Sequence, residues 1–207
     1  MNMKVILFNG SPNIHGCTYT ALHEIEETLQ KNGIETEIFQ VGSKSVRGCI
    51  GCGKCRESGK CIFDDIVNEA IDKIKDADGV IFGSPVYYAS ANGTMISFLD
   101  RLFYAASQHL AYKPGAVVVS ARRAGTTATY DELNKYLGIS NMLIVPAPYW
   151  NMVHGNTADE VKQDKEGLYI MRQIGENMTW MLKMLENAKV NGIAPTILEK
   201  ERTNFIR

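Results

Sequence analysis

Four cysteines stand close together in this chain, and their spacing is the feature of the sequence most able to do chemistry. They are Cys49, Cys52, Cys55 and Cys61, in the pattern C-x2-C-x2-C-x5-C. Thiols this close together can ligate an iron-sulfur cluster, hold a zinc ion, pair as disulfides or stay free. A bacterial ferredoxin run begins with the same spacing but ends differently, and zinc ribbons usually separate two C-x2-C pairs by a longer segment. The spacing alone leaves these possibilities open.

The composition indicates a reducing compartment, and this favours some of these possibilities over others. The 207 residues have a formal net charge of -1 with both signs interspersed, so we expect neither a nucleic-acid nor a membrane partner. No stretch is apolar enough to span a bilayer, and the amino terminus lacks the pattern of a secretory signal. We therefore expect a cytoplasmic protein. Because thiols stay reduced there, five cysteines with four of them clustered indicate metal or redox chemistry rather than a disulfide framework.

Three other segments of unusual composition each follow an apolar run. They cover residues 9–18, 84–93 and 120–125, which we call the first, second and third segments. The first segment offers the hydroxyls of Ser11 and Thr18 and the backbone amides of a helix start, which together suit a phosphate group. It contains no lysine or arginine and is not a Walker loop, and the three-glycine dinucleotide fingerprint is missing.

The elements that position these segments follow from the apolar periodicity. Strands alternate with helical patterns, which predicts a parallel sheet with helices on both faces and right-handed crossovers. The second strand is amphipathic and suits an edge of the sheet. The simplest arrangement is therefore an α/β, flavodoxin-like, doubly wound five-stranded parallel sheet of order 2-1-3-4-5. The predicted strands cover residues 5–8, 35–41, 79–83, 116–119 and 142–145.

We predict a single flavodoxin-like domain over residues 1–190. A cysteine-rich loop is inserted at 48–61, and a tail at 191–207 is a candidate for oligomer contacts. Asp65 can cap the helix that follows the cysteine loop, with Asp64 beside it. Asp100 and Arg101 follow a helical apolar stripe, which favours a structural ion pair over a catalytic one.

The three segments should meet at one site. In an open parallel sheet the ligand lies beyond the carboxyl ends of the strands, and each segment leaves such an end. Tyr87 and Tyr88 would then lie beside a flat ring, and the Arg122 and Arg123 pair could stabilise an electron-rich edge of that ring. A monophosphate attached to a flat ring meets these requirements, and this description fits FMN.

Four short motifs occur together in the chain. They are Gly10-Ser11-Pro12 with Gly16-Cys17-Thr18, then Gly83-Ser84-Pro85-Val86-Tyr87-Tyr88, then Phe98-Leu99-Asp100-Arg101, and Tyr149-Trp150-Asn151-Met152-Val153-His154-Gly155. In this combination the chain resembles the NADPH-dependent FMN reductase and iron-sulfur flavoprotein family, from the first strand to about Gly155. The resemblance implies a flavodoxin-like fold, FMN at the three segments, a homodimer or homotetramer, and electron transfer from a reduced nicotinamide or a protein donor.

The resemblance also implies roles for individual residues. The FMN phosphate would be held by Ser11, Asn13, Gly16, Cys17 and Thr18. The isoalloxazine would be bordered by Pro85, Val86, Tyr87, Tyr88, Asn92 and Gly93, and its pyrimidine edge by Arg122, Arg123 and Gly125, with Ser120 counted among the FMN contacts. The cysteine spacing resembles that of the iron-sulfur members, which implies a [4Fe-4S] cluster on Cys49, Cys52, Cys55 and Cys61, with zinc or free or disulfide-paired thiols as alternatives.

These observations lead to an expected function. We expect an FMN-dependent oxidoreductase that passes electrons from NAD(P)H or a ferredoxin-like donor to an acceptor that the sequence does not identify. Because the flavin carries the chemistry, no catalytic side chain is required. The alternative is a non-enzymatic flavin and iron-sulfur electron carrier between partner proteins, and a third hypothesis is a flavin-free zinc module. We expect the cysteine loop at the rim of the sheet, within reach of a flavin on its own or a neighbouring subunit.

Overall fold

A seven-stranded sheet forms the middle layer of this computed structural model, which describes residues 3–199, 201, 203 and 205. The strands are β1 (Lys4–Asn9), β2 (Glu35–Gln40), β3 (Gly79–Tyr87), β4 (Ser90–Ala91), β5 (Pro114–Ala121), β6 (Leu143–Ile144) and β7 (Met152–His154). The main path runs β2-β1-β3-β5-β6 and is parallel throughout. β4 pairs antiparallel with β3, and β7 pairs parallel with β5.

Helices cover both faces of the sheet. They are α1 (Cys17–Lys31), α2 (Cys55–Ser58), α3 (Ile66–Lys75), α4 (Gly93–Leu110), α5 (Thr126–Ile139), α6 (Ala158–Val161) and α7 (Lys165–Val190). Buried side chains of α1, α6 and α7 form the core on one face, and those of α3, α4 and α5 form the core on the other. Among the described residues, no helix has both the length and the apolar composition needed to cross a bilayer.

The predicted flavodoxin-like order is confirmed, with the amphipathic β2 at one edge of the main path. β1 lies in the interior of the sheet and is almost wholly buried, whereas β2 is mostly half-buried. The continuous apolar run of β1 and the alternating pattern of β2 therefore predicted correctly that β1 lies in the interior of the sheet and β2 at an edge. The predicted tail at 191–207 lies partly outside the described residues, at positions 200, 202, 204, 206 and 207.

Two predicted elements are corrected. The segment 84–93 is not a long turn, because β3 continues through it to Tyr87 and pairs with the two residues of β4. The last strand is also interrupted, since β6 ends at Ile144 and β7 begins only at Met152. Pro146 and Pro148 lie between them, and proline has no backbone N–H to donate to a strand ladder.

Candidate functional site

The carboxyl ends of β1, β3 and β5 bring the three segments to one groove, which we call the strand-end groove. Its lining residues are Ser11, Asn13, Cys17, Thr18, Pro85, Val86, Tyr87, Ser120, Ala121, Arg122, Gly155 and Asn156. Nine of the fifteen residues predicted to contact FMN are therefore brought together. Ala121, Gly155 and Asn156 were not predicted as lining residues. Gly155 ends the fourth sequence motif, which is the signal that could have identified it.

The first segment presents an open helix start to this groove. α1 begins at Cys17, and its N-cap residue Gly16 makes no side-chain capping bond. The first turn of α1 has no acidic residue, so the amides there keep the partial positive charge of a helix start. By contrast, α3, α4, α6 and α7 are each capped by a side chain. The start of α1 is therefore suited to an anionic group.

Hydrogen bonds fix the shape of the first segment. The side chain of Asn9 accepts from the Ser11 amide at 3.1 Å and donates to Gln40 Oε1 at 2.7 Å. Gln40 Nε2 in turn donates to the Ser11 carbonyl at 2.7 Å. Ser11 Oγ accepts from the Asn13 amide at 3.2 Å, which folds the segment back toward α1. Sequence reasoning did not identify Asn9 or Gln40, since their contact joins positions 31 residues apart.

A buried pair of hydroxyls links the first and third segments. Thr18 Oγ1 and Ser120 Oγ share a hydrogen bond of 2.8 Å below the groove. Cys17 donates from its thiol to the Gly155 carbonyl at 3.5 Å, and burial raises the pKa of this thiol. At neutral pH Cys17 is therefore a neutral thiol beside the helix start rather than a thiolate.

The second segment turns sharply at two residues in the left-handed region. Tyr88 has a φ of 53° and Ala89 a φ of 59°, values that a two-residue type I′ hairpin requires but that side chains with a Cβ disfavour. Gly125 lies against this turn with a φ of 91°, and a Cβ there would meet Ala89 Cα at 2.9 Å. Only glycine at position 125 leaves room for the turn.

The carboxylate of Glu132 on α5 holds the returning strand of this hairpin. It accepts from the Ser90 hydroxyl at 2.9 and 3.0 Å and from the Ala91 amide at 2.8 Å. Tyr88 remains fully exposed at the tip, and Tyr87 is about half exposed beside the groove. Glu132 therefore holds the hairpin from the side of α5, while Tyr88 faces solvent and Tyr87 lines the groove.

Several other predicted residues take supporting positions. Asn92 is buried and caps α4 by accepting from the Met95 amide at 2.9 Å, and Gly93 is the first residue of that helix. Ser84 Oγ accepts from the Asn92 amide at 3.1 Å, which joins the base of the hairpin to β3. Arg122 and Arg123 are both exposed, and only Arg122 lines the groove.

The four clustered cysteines all line a second cavity, of about 370 Å³, which we call the four-cysteine cavity. Their thiols are unpaired. The pKa of Cys55 is raised by burial and raised further by the charges of the other three sulfurs. Phe63, Asp100, Arg101 and Tyr104 also line this cavity. Four sulfur donors around one cavity match the thiolate chemistry of an iron-sulfur cluster or a zinc site.

The arrangement of the sulfurs is nevertheless open on one side. Cys49 and Cys52 are exposed, and they alternate with Gly51 and Gly53, whose φ values are 65° and 72°. Within the described residues, no three side chains of His, Cys, Asp or Glu stand close enough to hold a metal ion as they are. A single metal ion held by several of these sulfurs would therefore need them closer together, whereas the ligand sulfurs of an iron-sulfur cluster are spaced more widely around the cluster.

The predicted pairing of Asp100 with Arg101 is corrected. Arg101 pairs instead with Asp65, through Nη1 to Oδ2 at 2.7 Å and Nη2 to Oδ1 at 2.8 Å. Asp100 accepts from the Tyr136 hydroxyl at 2.6 Å. Adjacent residues on a helix point in different directions, so their side chains reach different neighbours. Both residues therefore make structural contacts, as expected, but with partners other than each other.

Comparison of the sequence with known proteins gives consistent matches. The profile of the family described as NADPH-dependent FMN reductase matches residues 3–157. An iron-sulfur flavoprotein of Methanocaldococcus jannaschii is 33% identical over 192 residues, which cover 89% of this chain and 100% of that protein. An iron-sulfur flavoprotein of Archaeoglobus fulgidus is 30% identical over 164 residues, which cover 76% of this chain and 73% of that protein.

Solved structures share the fold at low sequence identity. The crystal structure of RosB with a bound 8-demethyl-8-formylriboflavin-5'-phosphate intermediate has a TM-score of 0.71 at 15% identity, covering 98% of this chain and 92% of that chain. A flavodoxin from the domain Archaea has a TM-score of 0.61 at 14% identity, covering 87% of this chain and 99% of that chain. At this identity the likeness supports the flavodoxin-like architecture alone.

Proposed function

The chain belongs to the NADPH-dependent FMN reductase family, and we propose that it is a two-centre redox protein. In this proposal FMN binds in the strand-end groove and a [4Fe-4S] cluster binds in the four-cysteine cavity. Electrons pass from NAD(P)H or a ferredoxin-like donor to an acceptor. The observation that carries the proposal is the convergence of all four clustered thiols on one cavity in a chain with an FMN-type groove.

The first segment fits the phosphate of FMN. The uncapped start of α1 offers backbone amides, and Ser11 and Asn13 lie at the same end of the groove. We assign Gly16, Cys17 and Thr18 to the same phosphate site, where Thr18 acts through its buried bond to Ser120. A phosphate dianion needs no lysine there, because amides and a helix start stabilise its charge.

The second and third segments fit the flavin ring. Pro85, Val86 and Tyr87 line the groove from the second segment, and Arg122 lines it from the third segment. When bound, FMN accepts and releases electrons, and the protein's part is to orient the ring and limit its contact with water. We assign Tyr88 and Arg123 to the exposed margin of the ring, and Asn92, Gly93 and Gly125 to holding the hairpin that borders it.

The four-cysteine cavity fits a cluster on the chemistry of its donors. Cys55 and Cys61 are half-buried and Cys49 and Cys52 are exposed, and all four line the same cavity. A cluster would be held by all four thiolates and would supply a one-electron centre beside α4. Zinc would use the same four sulfurs but would transfer no electrons.

Anaerobic purification with quantitation of FMN, iron, sulfide and zinc tests the proposal. We expect about one FMN per chain, with about four iron and four sulfide per chain as the cluster formula requires. Zinc without iron would contradict the cluster, and failure to bind added FMN would contradict the flavin site. Light scattering on the same sample tests the expected homodimer or homotetramer.

A non-enzymatic electron carrier remains the second candidate function. It is favoured by the names of the two relatives, which specify an iron-sulfur centre and a flavin rather than a substrate. Steady NADPH oxidation with an added acceptor would support the reductase. Rapid reduction by a ferredoxin without nicotinamide turnover would support the carrier instead.

A further inference from the structure

Arg101 is a charged side chain enclosed in the protein beneath the four-cysteine cavity. It lies on α4, is only 2% exposed, and is the largest of the fully buried side chains among the described residues. A guanidinium has five N–H donors and no acceptor, so an arginine buried this deeply must find several acceptors. The hydrogen-bond partners of Arg101 therefore indicate its role.

The Arg101 guanidinium donates hydrogen bonds from all three of its nitrogens. Nη1 and Nη2 donate to the two carboxylate oxygens of Asp65 at 2.7 and 2.8 Å. Nη1 also donates to the Arg47 carbonyl at 3.3 Å, and Nη2 to the Phe63 carbonyl at 3.4 Å. The remaining nitrogen, Nε, donates to the sulfur of Cys61 at 3.2 Å. The bidentate grip on Asp65 fixes the plane of the group, so the direction of the Nε–H bond is fixed as well.

Both ends of the bond from Arg101 to Cys61 are held independently. Asp65 caps α3 by accepting from the Val67 amide at 3.0 Å, so the anchor of the guanidinium belongs to a helix start. The backbone of Cys61 is gripped by Asn68, which accepts from its amide at 2.8 Å and donates to its carbonyl at 2.9 Å. The sulfur is therefore positioned before any cluster binds.

The hydrogen bonds described for the other sulfurs are longer and involve uncharged backbone groups. Cys49 accepts from the Gly51 amide at 3.4 Å, and Cys55 donates to the Tyr104 carbonyl at 3.6 Å. Among the described contacts of the four thiols, the bond at Cys61 is the one that comes from a cation. Cys61 is thus the ligand whose electron density the protein can influence most.

We propose that Arg101 is a positioning residue that hydrogen-bonds the sulfur of Cys61 and raises the reduction potential of the cluster. This inference rests on the proposed function of the four-cysteine cavity. Reduction of a bound cluster would add one electron, and part of its negative charge would fall on the thiolate sulfurs. A fixed N–H donor aimed at the sulfur would stabilise that state more than the oxidised one. No proton is transferred, because the guanidinium is already charged.

The test is an anaerobic redox titration with dithionite, followed by electron paramagnetic resonance, on wild-type protein and on R101Q, R101K and K60Q. We expect R101Q to lower the equilibrium constant for one-electron reduction by about tenfold, which is about 59 mV. R101K keeps the charge without the planar fork, and we expect a smaller fall. K60Q removes one positive charge next to Cys61, but Lys60 is exposed and does not line the cavity, so we expect little change.

Each outcome decides the proposal. Wild-type protein that binds FMN but takes up no iron and sulfide would overturn the proposed cluster and this inference together. A normal wild-type cluster, with R101Q and K60Q potentials equal to each other, would overturn this inference alone. Loss of the cluster from both Arg101 variants while FMN still binds would show a role in assembly and would overturn the tuning role.

Discussion

Asp65 joins two elements through one carboxylate. Its oxygens accept from the first turn of α3 and from both terminal nitrogens of Arg101. A side chain that only capped a helix would contribute about 1 kcal/mol. Here the same carboxylate also neutralises a buried cation, so its removal should affect stability more than its partly exposed position indicates.

The double role of Asp65 predicts the effect of D65N. Asparagine can still cap α3, but it leaves Arg101 buried without a counter-charge. We expect the free energy of unfolding to fall by about 2 kcal/mol, less than the ~3–5 kcal/mol for a fully buried pair, because the Asp65 side chain is 29% exposed. Urea unfolding of the FMN-loaded protein measures this. D72N is the control, since it removes exposed pairs with Lys60 and Lys75, and an equal loss there would contradict the prediction.

Tyr136 gives a prediction for alkaline pH. Burial raises its pKa above the usual value of 10.0, and the bond to the Asp100 carboxylate raises it further. Because the folded-state pKa lies above the unfolded-state pKa, the unfolded chain loses this proton first. The stability from Tyr136 is therefore complete below pH 10 and falls as the pH rises beyond it. We expect the melting temperature of Y136F to fall less than that of wild type between pH 9 and 11. Equal falls in the two proteins would refute this.

At the scale of elements, the hairpin of β3 and β4 depends on α5 for its shape. The left-handed residues Tyr88 and Ala89 carry a strain of about 1–3 kcal/mol each, which the surroundings must hold in place. Gly125, the N-cap of α5, and Glu132, near the middle of α5, both contact the hairpin. The groove wall is thus formed by one element and fixed by another.

G125A tests this dependence. A methyl group at Gly125 meets the turn at 2.9 Å, so the turn must move, and we expect FMN binding to weaken by about tenfold. Fluorescence titration of the apoprotein with FMN measures the change. G33A is the matched control, because Gly33 has a similar φ of 78° but nothing within 4 Å of a Cβ. We expect G33A to lose stability and keep its FMN affinity, and a parallel loss of affinity would count against the argument.

The elements also show what the sequence could predict. Buried runs and the amphipathic second strand specified the sheet order, because periodicity reports burial directly. The hairpin at Tyr88 was missed, since its turn has none of the glycine or asparagine that usually marks left-handed residues. Two hydrogen bonds that shape the sites were missed for another reason: the bond from Asn9 to Gln40 and the bond from Arg101 to Asp65 join positions far apart in the chain. Only the folded topology brings such pairs together.

At the scale of the whole molecule, one helix supports both candidate sites, although none of its residues lines the strand-end groove. α4 is capped by Asn92 at the base of the hairpin, and its Asp100, Arg101 and Tyr104 line the four-cysteine cavity. The cap and Arg101 are about 13 Å apart along the helix axis, from a rise of ~1.5 Å per residue. The groove itself is lined by the segments that follow β1, β3, β5 and β7, without residues of the cysteine loop.

This separation predicts the result of removing iron from the cluster proposed for the four-cysteine cavity. Chelation under anaerobic conditions should leave the FMN dissociation constant unchanged within about twofold, since no residue of 48–61 lines the groove. The loop should become more sensitive to protease, because a bound group would no longer hold its exposed half in place. Fluorescence titration and limited proteolysis measure these effects. Release of FMN together with the iron would contradict the independence of the two sites.

The shared helix also bears on how the two sites could exchange electrons. Inside α4, from Thr94 to Leu110, the sequence contains neither glycine nor proline, so the helix has no point at which it would readily bend. The helix therefore keeps a fixed distance between its cap at the base of the hairpin and its residues that line the four-cysteine cavity. Electron exchange between centres at these two positions would need no conformational gating. Its rate should therefore be the same in dilute buffer and in a viscous glycerol solution.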